Sequence, residues 1–406
     1  MSTLTTLGRD VIAVIDGVPV GPLFGGTQPT HQYGINTKAD VLVNQLADGS
    51  DLNAVYTEFA DLLNIWNNER TSLTDLLKFN VTVSGEAVPQ DMQTASFEDA
   101  TELGVSKSAS SPAALPLGYT FRDKDLRGSF SWRFLRDADR RQVDSVMDGI
   151  LAADNKLVTG TILRALFSNT RKRNEHQMTV YDLYDGVAPG PPSYLGRTFP
   201  QTESHYIASG ASQIDNQDIE DAIRLITRKG YGTQSNSKLL ILANPDESEL
   251  IQTWRAGEES RPKEGGEISG PIASHDFIPA NDAPPFLTSA GELVGTQVPG
   301  QLWGVKVEGS YGPALLIQSD FIPSGYVAVA ASYGPNSPYN AIGFRQHSNP
   351  AYQGLRHIPG AGAYPLVESF HTRAFGVGVR QRGAAVAVQV TTGNSYTPPS
   401  ADQIPV

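Results

Sequence analysis

The feature that most constrains the fold is a continuous helical pattern across residues 138–169. Its apolar side chains recur with a period of about 3.6 residues, namely Val143, Val146, Met147, Ile150, Leu151, Leu157, Val158, Ile162 and Leu166. At about 1.5 Å per residue such a helix is roughly 45 Å long, which exceeds what one small domain needs. Gly149 and Gly160 are the positions at which it could be interrupted. We therefore predict one very long helix.

The part of the chain before this helix predicts an arm, a shorter helix and a protruding pair of strands. Residues 1–50 have no sustained periodicity and indicate an extended arm. A helix capped by Ser50 or Asp51 follows, with apolar residues at helical spacing as far as Trp66. Alternating apolar residues around 79–83 and again at 130–134 predict two strands that bracket a long polar excursion. The excursion is either a plain surface hairpin or an arm that grasps a partner.

The part after the long helix predicts an α/β domain with long loops. A helix capped by Asn216, a buried strand at 239–243 and a second helix introduced by Asn244 and Pro245 follow in close succession. Residues 255–270 and 277–300 are long loops, of a kind that serves binding or assembly. Strands are predicted at 303–307, 314–318 and 326–331, then a closing hairpin of 374–379 with 384–390 and a peripheral tail over 391–406.

Composition excludes several classes of protein. The 406 residues contain no cysteine, which rules out disulfides, thiol catalysis and cysteine-ligated metals. The longest apolar runs are about five residues, whereas a membrane span needs about 20. Counts of 31 Lys+Arg and 43 Asp+Glu give a net charge of −12, which argues against tight nonspecific binding of nucleic acid. We expect a soluble, intracellular protein without a membrane partner.

The search for catalytic motifs predicts no catalytic, cofactor-binding or metal-binding residue. Neither a phosphate-binding loop nor a Gly-x-Ser-x-Gly elbow occurs, and the seven histidines are scattered. The carboxylate pairs Asp123/Asp125 and Asp182/Asp185 could serve acid–base chemistry, but solvated charge is the better account of them. A carbohydrate-active hydrolase remains the less favoured alternative. The basic run at 171–173 is interpreted as complementing the end of the long helix.

The order of elements and two segments resemble a known family. Residues 319–327, SDFIPSGYV, resemble the family's apolar-Pro-x-Gly turn, and residues 370–386, FHTRAFGVGVRQRGAAV, resemble its closing hairpin. The chain thereby resembles the major capsid proteins of tailed bacteriophages, whose fold is shared with encapsulin shells and the herpesvirus capsid floor. The resemblance implies an α+β fold with an N-terminal arm, an extended β-loop, a long spine helix, a peripheral domain and an axial domain.

The resemblance also implies how the chain is divided. Residues 1–50 would form the N-terminal arm, 51–78 the N-terminal helix region and 79–135 the extended, two-stranded loop. Residues 136–209 would hold the spine helix and part of the peripheral domain. Residues 210–342 would be the axial domain with its long loops, and 343–406 the return hairpin of the peripheral domain with the tail.

The implied function is a non-enzymatic head shell. The chain would assemble into pentamers and hexamers of an icosahedral shell around packaged double-stranded DNA, which it would meet only by nonspecific proximity. Other expected partners are a portal and, where present, separate scaffolding or decoration proteins, because nothing resembling a coiled coil precedes Ser50. The expected location is the virion capsid, with assembly in the host cytoplasm. An encapsulin-type nanocompartment is the alternative with the same fold.

Charged residues at two places are the candidates for contacts between subunits. Arg380 and Arg382 match the charged turn of the family's closing hairpin, and the mixed charge of the extended loop suits interfaces that form reversibly; the loop candidates are Arg122, Asp123, Lys124, Asp125 and Arg127. Some relatives cross-link a loop lysine to an asparagine. Lys107 or Lys124 could supply the lysine, but 371–376 holds no asparagine and Gln381 replaces a carboxylate. We expect no covalent cross-linking and no cofactor.

Overall fold

The computed structural model describes residues 13–15, 17–20, 43–68, 72–90, 97, 99–100, 102, 104, 114–195, 197–200, 203–263, 270–281, 297–360, 366–404 and 406. These residues form two compact units, each built from three separate stretches of chain. The first unit comprises the described residues of Met1–Arg70, Arg122–Asn155 and His347–Ala374. The second comprises those of Thr71–Phe121, Lys156–Gln346 and Phe375–Val406.

Five α-helices are present among the described residues. They are α1 (Leu52–Asn68), α2 (Trp132–Asp137), α3 (Arg140–Phe167), α4 (Asn216–Thr227) and α5 (Pro245–Gln252). Helix α3 confirms the predicted long helix, because it runs for 28 residues without interruption. Gly149 does not break it and has open space where a side chain would lie. No helix in the described part of the chain is long and apolar enough to cross a bilayer.

Twenty strands occur in the described residues, most of them short. They are β1 (Ala13–Ile15), β2 (Val18–Val20), β3 (Lys78–Val81), β4 (Gly85–Pro89), β5 (Ala114–Gly118), β6 (Arg122–Ser131), β7 (Lys172–Arg173), β8 (Thr179–Val180), β9 (Tyr206–Ala208), β10 (Lys238–Ala243), β11 (Phe277–Pro279), β12 (Gln301–Leu302), β13 (Val305–Lys306), β14 (Gly309–Tyr311), β15 (Ala314–Gln318), β16 (Tyr326–Ser332), β17 (Ile342–Gln346), β18 (Arg356–Pro359), β19 (Leu366–Val379) and β20 (Ala385–Gln389).

The second unit is built on a seven-stranded mixed sheet in the order β11-β14-β15-β10-β16-β20-β9. The central strand β10 pairs parallel to β15 and antiparallel to β16. Every residue of β16 is buried, which explains why its sequence is apolar without alternation. Helices α4 and α5 flank β10 in the chain and begin with side-chain caps from Asp215 and Asn244. The predicted succession of helix, strand and helix is confirmed. The N-cap of the first of these helices is Asp215 rather than the predicted Asn216.

The first unit has its own apolar core between α1 and the first half of α3. Both helices contribute side chains at helical spacing, and the buried ones are Leu52, Val55, Tyr56, Phe59, Leu63, Val143, Met147, Ile150 and Leu151. Strand β18 pairs antiparallel with residues 369–372 of β19 in this unit. Strand β6 also pairs with β19. The 3–4 residue spacing seen in the sequence therefore marks the buried face of α1.

The predicted closing hairpin is wrong in its pairing. Strands β19 and β20 are both present, but they belong to different sheets. The residues between β19 and β20 do not close a hairpin, because the backbone N–H groups of Arg380 and Gln381 both donate to the carbonyl of Ala341. An alternating pattern on both sides of a tight turn identifies two strands but does not determine which strands they pair with.

Two other predicted strands are also corrected. Trp132 and Phe134 lie in α2 rather than in a strand, because the Ser131 hydroxyl caps the helix by accepting from Phe134 N at 3.1 Å. The strand predicted at 303–307 is a tight hairpin of β12 and β13. Its turn residues Trp303 and Gly304 both have positive φ, as a two-residue hairpin of this kind requires.

The C-terminal tail is not peripheral. Ile404 is 1% exposed and belongs to the core of the second unit. Arg164, on the last turns of α3, donates to the carbonyls of Ala401 and Ile404 at 2.7 and 2.6 Å. The Tyr396 hydroxyl donates to the carbonyl of Phe167 at 2.7 Å. The tail therefore covers the end of α3 and contributes to folding.

Shortening Ile404 tests the role of the tail. We expect Ile404→Ala to lower the unfolding free energy of the unassembled chain by about 2–5 kcal/mol, because it leaves a cavity in a packed core. Val406→Ala is the matched control, since Val406 is 40% exposed, and should change it by less than about 0.5 kcal/mol. Denaturant unfolding measures both. If both variants lowered the unfolding free energy by the same small amount, the tail would not contribute to folding.

Candidate functional site

The exposed charges of β6 are the first candidate site. All six residues of the run 122–127 are exposed, so this part of the strand is buried on neither face. Its sequence explains this, because only Leu126 is apolar and it is itself 42% exposed. A strand normally buries at least one face of side chains in a sheet. This stretch of β6 therefore presents its side chains to whatever lies outside the chain.

The charges of β6 differ in their partners. The guanidinium of Arg127 forms an ion pair with the carboxylate of Glu368 on β19. Arg122, Asp123, Lys124 and Asp125 form no ion pair or hydrogen bond through their side chains with the residues that the structure describes. Four of the five charged loop candidates thus have exposed side chains without a partner in the described part of the chain.

The other two candidates, Arg380 and Arg382, lie inside the second unit. Arg382 is 2% exposed. Its Nε donates to the carbonyl of Asp182 at 3.0 Å, and its Nη2 lies 3.4 Å from Asp182 Oδ1 and 3.3 Å from Asp185 Oδ1. The guanidinium carbon also lies 4.9 Å from the ring centroid of Tyr181. This side chain is held by the chain to which it belongs.

A second guanidinium completes this cluster. Arg171 Nη2 donates to Asp185 Oδ1 at 2.9 Å and its Nε lies 3.4 Å from Asp182 Oδ1. Burial and the charge of Asp185 raise the pKa of Asp182, while Arg382 and Arg171 oppose that shift. Asp182 and Asp185 are therefore not solvated charges, and Arg171 is engaged by these carboxylates. The interpretation of Asp182 and Asp185 as solvated charges is therefore wrong, because their partners lie eleven to two hundred positions away in the sequence. That the basic run at 171–173 complements the end of the long helix remains a prediction.

The turn of residues 380–384, here called the closing turn, is also tied to the start of the predicted extended loop. Arg380 Nε donates to Glu86 Oε1 at 2.9 Å, and Tyr119 Oη donates to the same oxygen at 2.6 Å. The amide of Gln90 donates to the carbonyl of Arg380 at 2.8 Å and accepts from Arg382 N at 3.0 Å. Glu86 and Gln90 were not singled out from the sequence, and no local signal marks them, because their partners are about 290 residues away.

The closing turn is further held by Gln381. Its Oε1 accepts a hydrogen bond from the Tyr231 hydroxyl at 2.7 Å, and Gln381 is buried. Contacts between subunits remain a prediction for all seven candidates. The structure separates them into an exposed group on β6 and a buried pair whose guanidinium groups already have partners within the chain.

Two histidines meet in the core of the first unit. His357 and His371 are directly opposite each other on β18 and β19, with ring centroids 5.1 Å apart. The Tyr56 hydroxyl lies 3.1 Å from His357 Nδ1, and the Phe59 ring packs edge-on against His371. Burial, with a smaller effect of His371, lowers the pKa of His357 to about 4. Strand pairing brings together two histidines that look scattered in the sequence.

The described residues offer no metal site. No group of three or more His, Asp or Glu side chains in this part of the chain is arranged to hold an ion. His205 is also fully buried, and burial lowers its pKa to about 3. Its Nδ1 lies 2.6 Å from the carbonyl of Ala385, which indicates a structural role.

Comparison with known proteins indicates the class of protein to which the chain belongs. No protein-family model and no curated protein matches the chain. A solved structure from Mycobacterium phage Patience is 39% identical over 92% of this chain and 97% of its own, with a TM-score of 0.63. The capsid of a native GTA particle is 14% identical, covering 80% of this chain and 92% of its own, with a TM-score of 0.42. The SrpI encapsulin from Synechococcus elongatus is 12% identical, covering 81% and 90%, with a TM-score of 0.39.

The α+β fold with a long central helix, together with the near full-length match to a phage protein, defines a viral shell protein. More particularly, the chain belongs to the family of tailed-bacteriophage major capsid proteins. It is a structural component of the virion capsid. Family membership favours this class over the carbohydrate-active hydrolase that the sequence left open.

Removing the buried guanidinium tests the cluster around Arg382. We expect Arg382→Gln to lower the unfolding free energy of the unassembled chain by about 3–5 kcal/mol, because Asp182 would stay buried with one cation fewer. Arg197→Gln removes an exposed guanidinium and should change it by less than about 0.5 kcal/mol. Denaturant unfolding compares the two variants. A loss no larger than that of the control would mean that the cluster does not stabilise the fold.

The histidine pair predicts a stability that depends on pH. A histidine with a lowered pKa in the folded state costs stability as pH falls below its unfolded value of 6.5, because the unfolded chain binds the proton first. From about pH 7 to about pH 5 we expect a loss of about 2 kcal/mol from His357. The double variant His357→Gln, His371→Gln should lose the part of the pH dependence that this pair contributes and keep the part due to buried His205, whereas His176→Gln, at an exposed site, should keep all of it. An unchanged pH profile in the double variant would contradict the assignment.

Proposed function

We propose that this protein is the major head shell protein, assembling through pentamers and hexamers into an icosahedral shell around packaged double-stranded DNA. The observation that carries the proposal is the 39% identity, over nearly the full length of both chains, to a protein of a mycobacterial phage. The exposed charges of β6 support it, because a strand that presents side chains on both faces suits contact with a neighbour more than an isolated monomer. Closed symmetry multiplies such weak contacts over many copies.

The division of the chain remains part of the proposal. Residues 1–50 would form the arm, 51–78 the N-terminal helix region, 79–135 the extended loop, 136–209 the spine helix with part of the peripheral domain, 210–342 the axial domain and 343–406 the return segment. The mutual pairing of β10, β14, β15 and β16 supports a common axial domain. Strand β20 of the return segment completes the same sheet by pairing with β16. The boundary at 342 falls at the first residue of β17, and β20, which lies beyond it, still belongs to the sheet of the proposed axial domain.

We propose that the shell is held by non-covalent contacts. Lys124 is exposed, whereas Lys107 lies outside the described residues. The position at which relatives need a carboxylate is Gln381, whose side-chain oxygen already accepts from Tyr231. An amide cannot act as the general base that such a reaction needs. This local chemistry favours a shell without cross-links.

The remaining partners follow from the same proposal. A portal, and scaffolding or decoration proteins where they exist, would contact the shell during assembly in the host cytoplasm. Packaged DNA would meet the inner wall by proximity only, because a chain with a net charge of −12 repels phosphate. Such repulsion suits a wall against which DNA must slide.

Electron microscopy of the purified recombinant protein tests the proposal. We expect closed shells, or rings and tubes of the same subunit, in negative stain, and a single band of subunit mass on a boiled denaturing gel. Particles purified from infected cells should contain double-stranded DNA, which separates a phage head from a nanocompartment that encloses protein. A uniform monomer at all concentrations would overturn the shell function. A ladder of covalent multimers would overturn the non-covalent contacts alone.

A further inference from the structure

A small cavity lies in the core of the first unit, beside the histidine pair. It is lined by side chains of α1, β6, α3, β18 and β19, and most of this lining is apolar, with Phe59, Phe130 and Met147 among the contributors. The centre of a water molecule can lie anywhere within about 20 Å³ of it. Since one buried water needs only about 10–15 Å³ of cavity, the space is large enough for water and too small for a larger ligand.

His371 is the polar group that this cavity leaves unsatisfied. The residue is 3% exposed, and neither ring nitrogen has a hydrogen-bond partner among the described residues. The backbone of Leu126 lies close enough to oppose the lowering of the His371 pKa by burial, but it forms no hydrogen bond of normal geometry with the ring. A neutral imidazole carries one donor and one acceptor. Leaving both unpaired in a core destabilises the fold.

Gly128 on β6 provides the space in front of this imidazole. A Cβ atom on Gly128 would lie 3.1 Å from Ser369 Oγ and 3.8 Å from both His371 Cε1 and Ile150 Cδ1. Ser369 and His371 are two positions apart on β19, so they share the face that borders the cavity. The missing side chain of Gly128 thus leaves a gap between a hydroxyl and an imidazole, both of which can donate and accept hydrogen bonds.

The neighbouring polar side chains already have partners. The rings of His357 and His371 are tilted by 56°, and His357 Nδ1 lies 3.1 Å from the Tyr56 hydroxyl. The carboxylate of Glu368 also borders the cavity, but it is paired with Arg127. In the described part of the chain, no group of three His, Asp or Glu side chains favours a metal ion. Water is small enough for the gap and can act as both donor and acceptor.

We propose that a water molecule is bound in this cavity, where it hydrogen-bonds to a ring nitrogen of His371 and to the hydroxyl of Ser369. A wholly apolar cavity of this size would stay dry, so His371 is the residue that makes hydration favourable. The site explains how one core accommodates two adjacent histidines, because Tyr56 bonds to His357 and the water bonds to His371. The hydration site is a property of the single chain and does not depend on assembly.

A high-resolution structure at about pH 7, by crystallography or cryo-electron microscopy, tests the site directly. We expect density for a water at hydrogen-bonding distance, about 2.7–3.2 Å, from a ring nitrogen of His371 and from Ser369 Oγ. The variant Gly128→Ala should lack this density, because its Cβ occupies the gap. A cavity that is empty in a map showing other internal waters, or a direct protein partner for both ring nitrogens, would overturn the proposal.

A double-mutant cycle tests the site in solution. His371→Leu removes the ring nitrogens and keeps a side chain of similar size. We expect Gly128→Ala to raise the unfolding equilibrium constant of the unassembled chain about tenfold more in wild type than in His371→Leu, because only wild type then has an unpaired imidazole. Crowding of the new Cβ against Ser369 is common to both backgrounds and cancels in the cycle. An equal effect in the two backgrounds would contradict the bound water.

Gly149→Ala is the matched control for the cycle. Gly149 lies on α3 and has open space where a side chain would lie, so its substitution should have the same effect in both backgrounds. A difference for Gly149→Ala as large as that for Gly128→Ala would trace the coupling to His371→Leu itself and would overturn the inference from the cycle. If Gly128→Ala fails to fold, the density in the wild-type structure decides.

Discussion

The burial of one cation organises much of the second unit. An Arg382 guanidinium cannot be left in a protein interior without acceptors, because the cost of removing it from water is several kcal/mol. The residues around 181–189 therefore fold so that two carboxylates and backbone carbonyls surround it. The same carboxylates hold Arg171, just after the end of α3. One charge thus links the long helix, the segment that follows it and the closing turn.

Fixing the closing turn also fixes the start of the predicted extended loop. The amide of Gln90 bonds to the backbone on both sides of Gln381, and Glu86 pairs with Arg380. Gln90 is the last described residue before the predicted polar excursion. Residues 91–96 and 105–113 of that excursion lie outside the described residues. The chain is therefore held to the closing turn by hydrogen bonds as far as Gln90.

Patterns within a short segment of sequence predicted the helices and strands themselves. They did not predict which distant strands and side chains pair with one another. The periodicity of α3, the Asn244 and Pro245 start of α5 and the apolar run of β10 depend on neighbours in sequence, and all three are confirmed. The pairing of β19 and β20 depends on competition among distant strands, which a pattern within one segment does not contain. The charged candidates behave likewise: exposure of the run at 122–127 follows from its composition, but burial of Arg382 depends on carboxylates about two hundred residues earlier.

The two groups of charges show how one chain can be stable and still associate reversibly. Buried pairs such as Arg382 with Asp182 are shielded from salt and belong to folding, so they are in place before any neighbour arrives. The exposed charges of β6 are screened by solvent and unpaired within the described chain, so in the proposed assembly a wrongly placed neighbour would leave at little cost. A shell that placed its strong pairs between subunits would trap errors during assembly. In the proposed shell, strong pairs within each subunit and weak pairs between subunits would leave the contacts between copies correctable until closure makes them collectively stable.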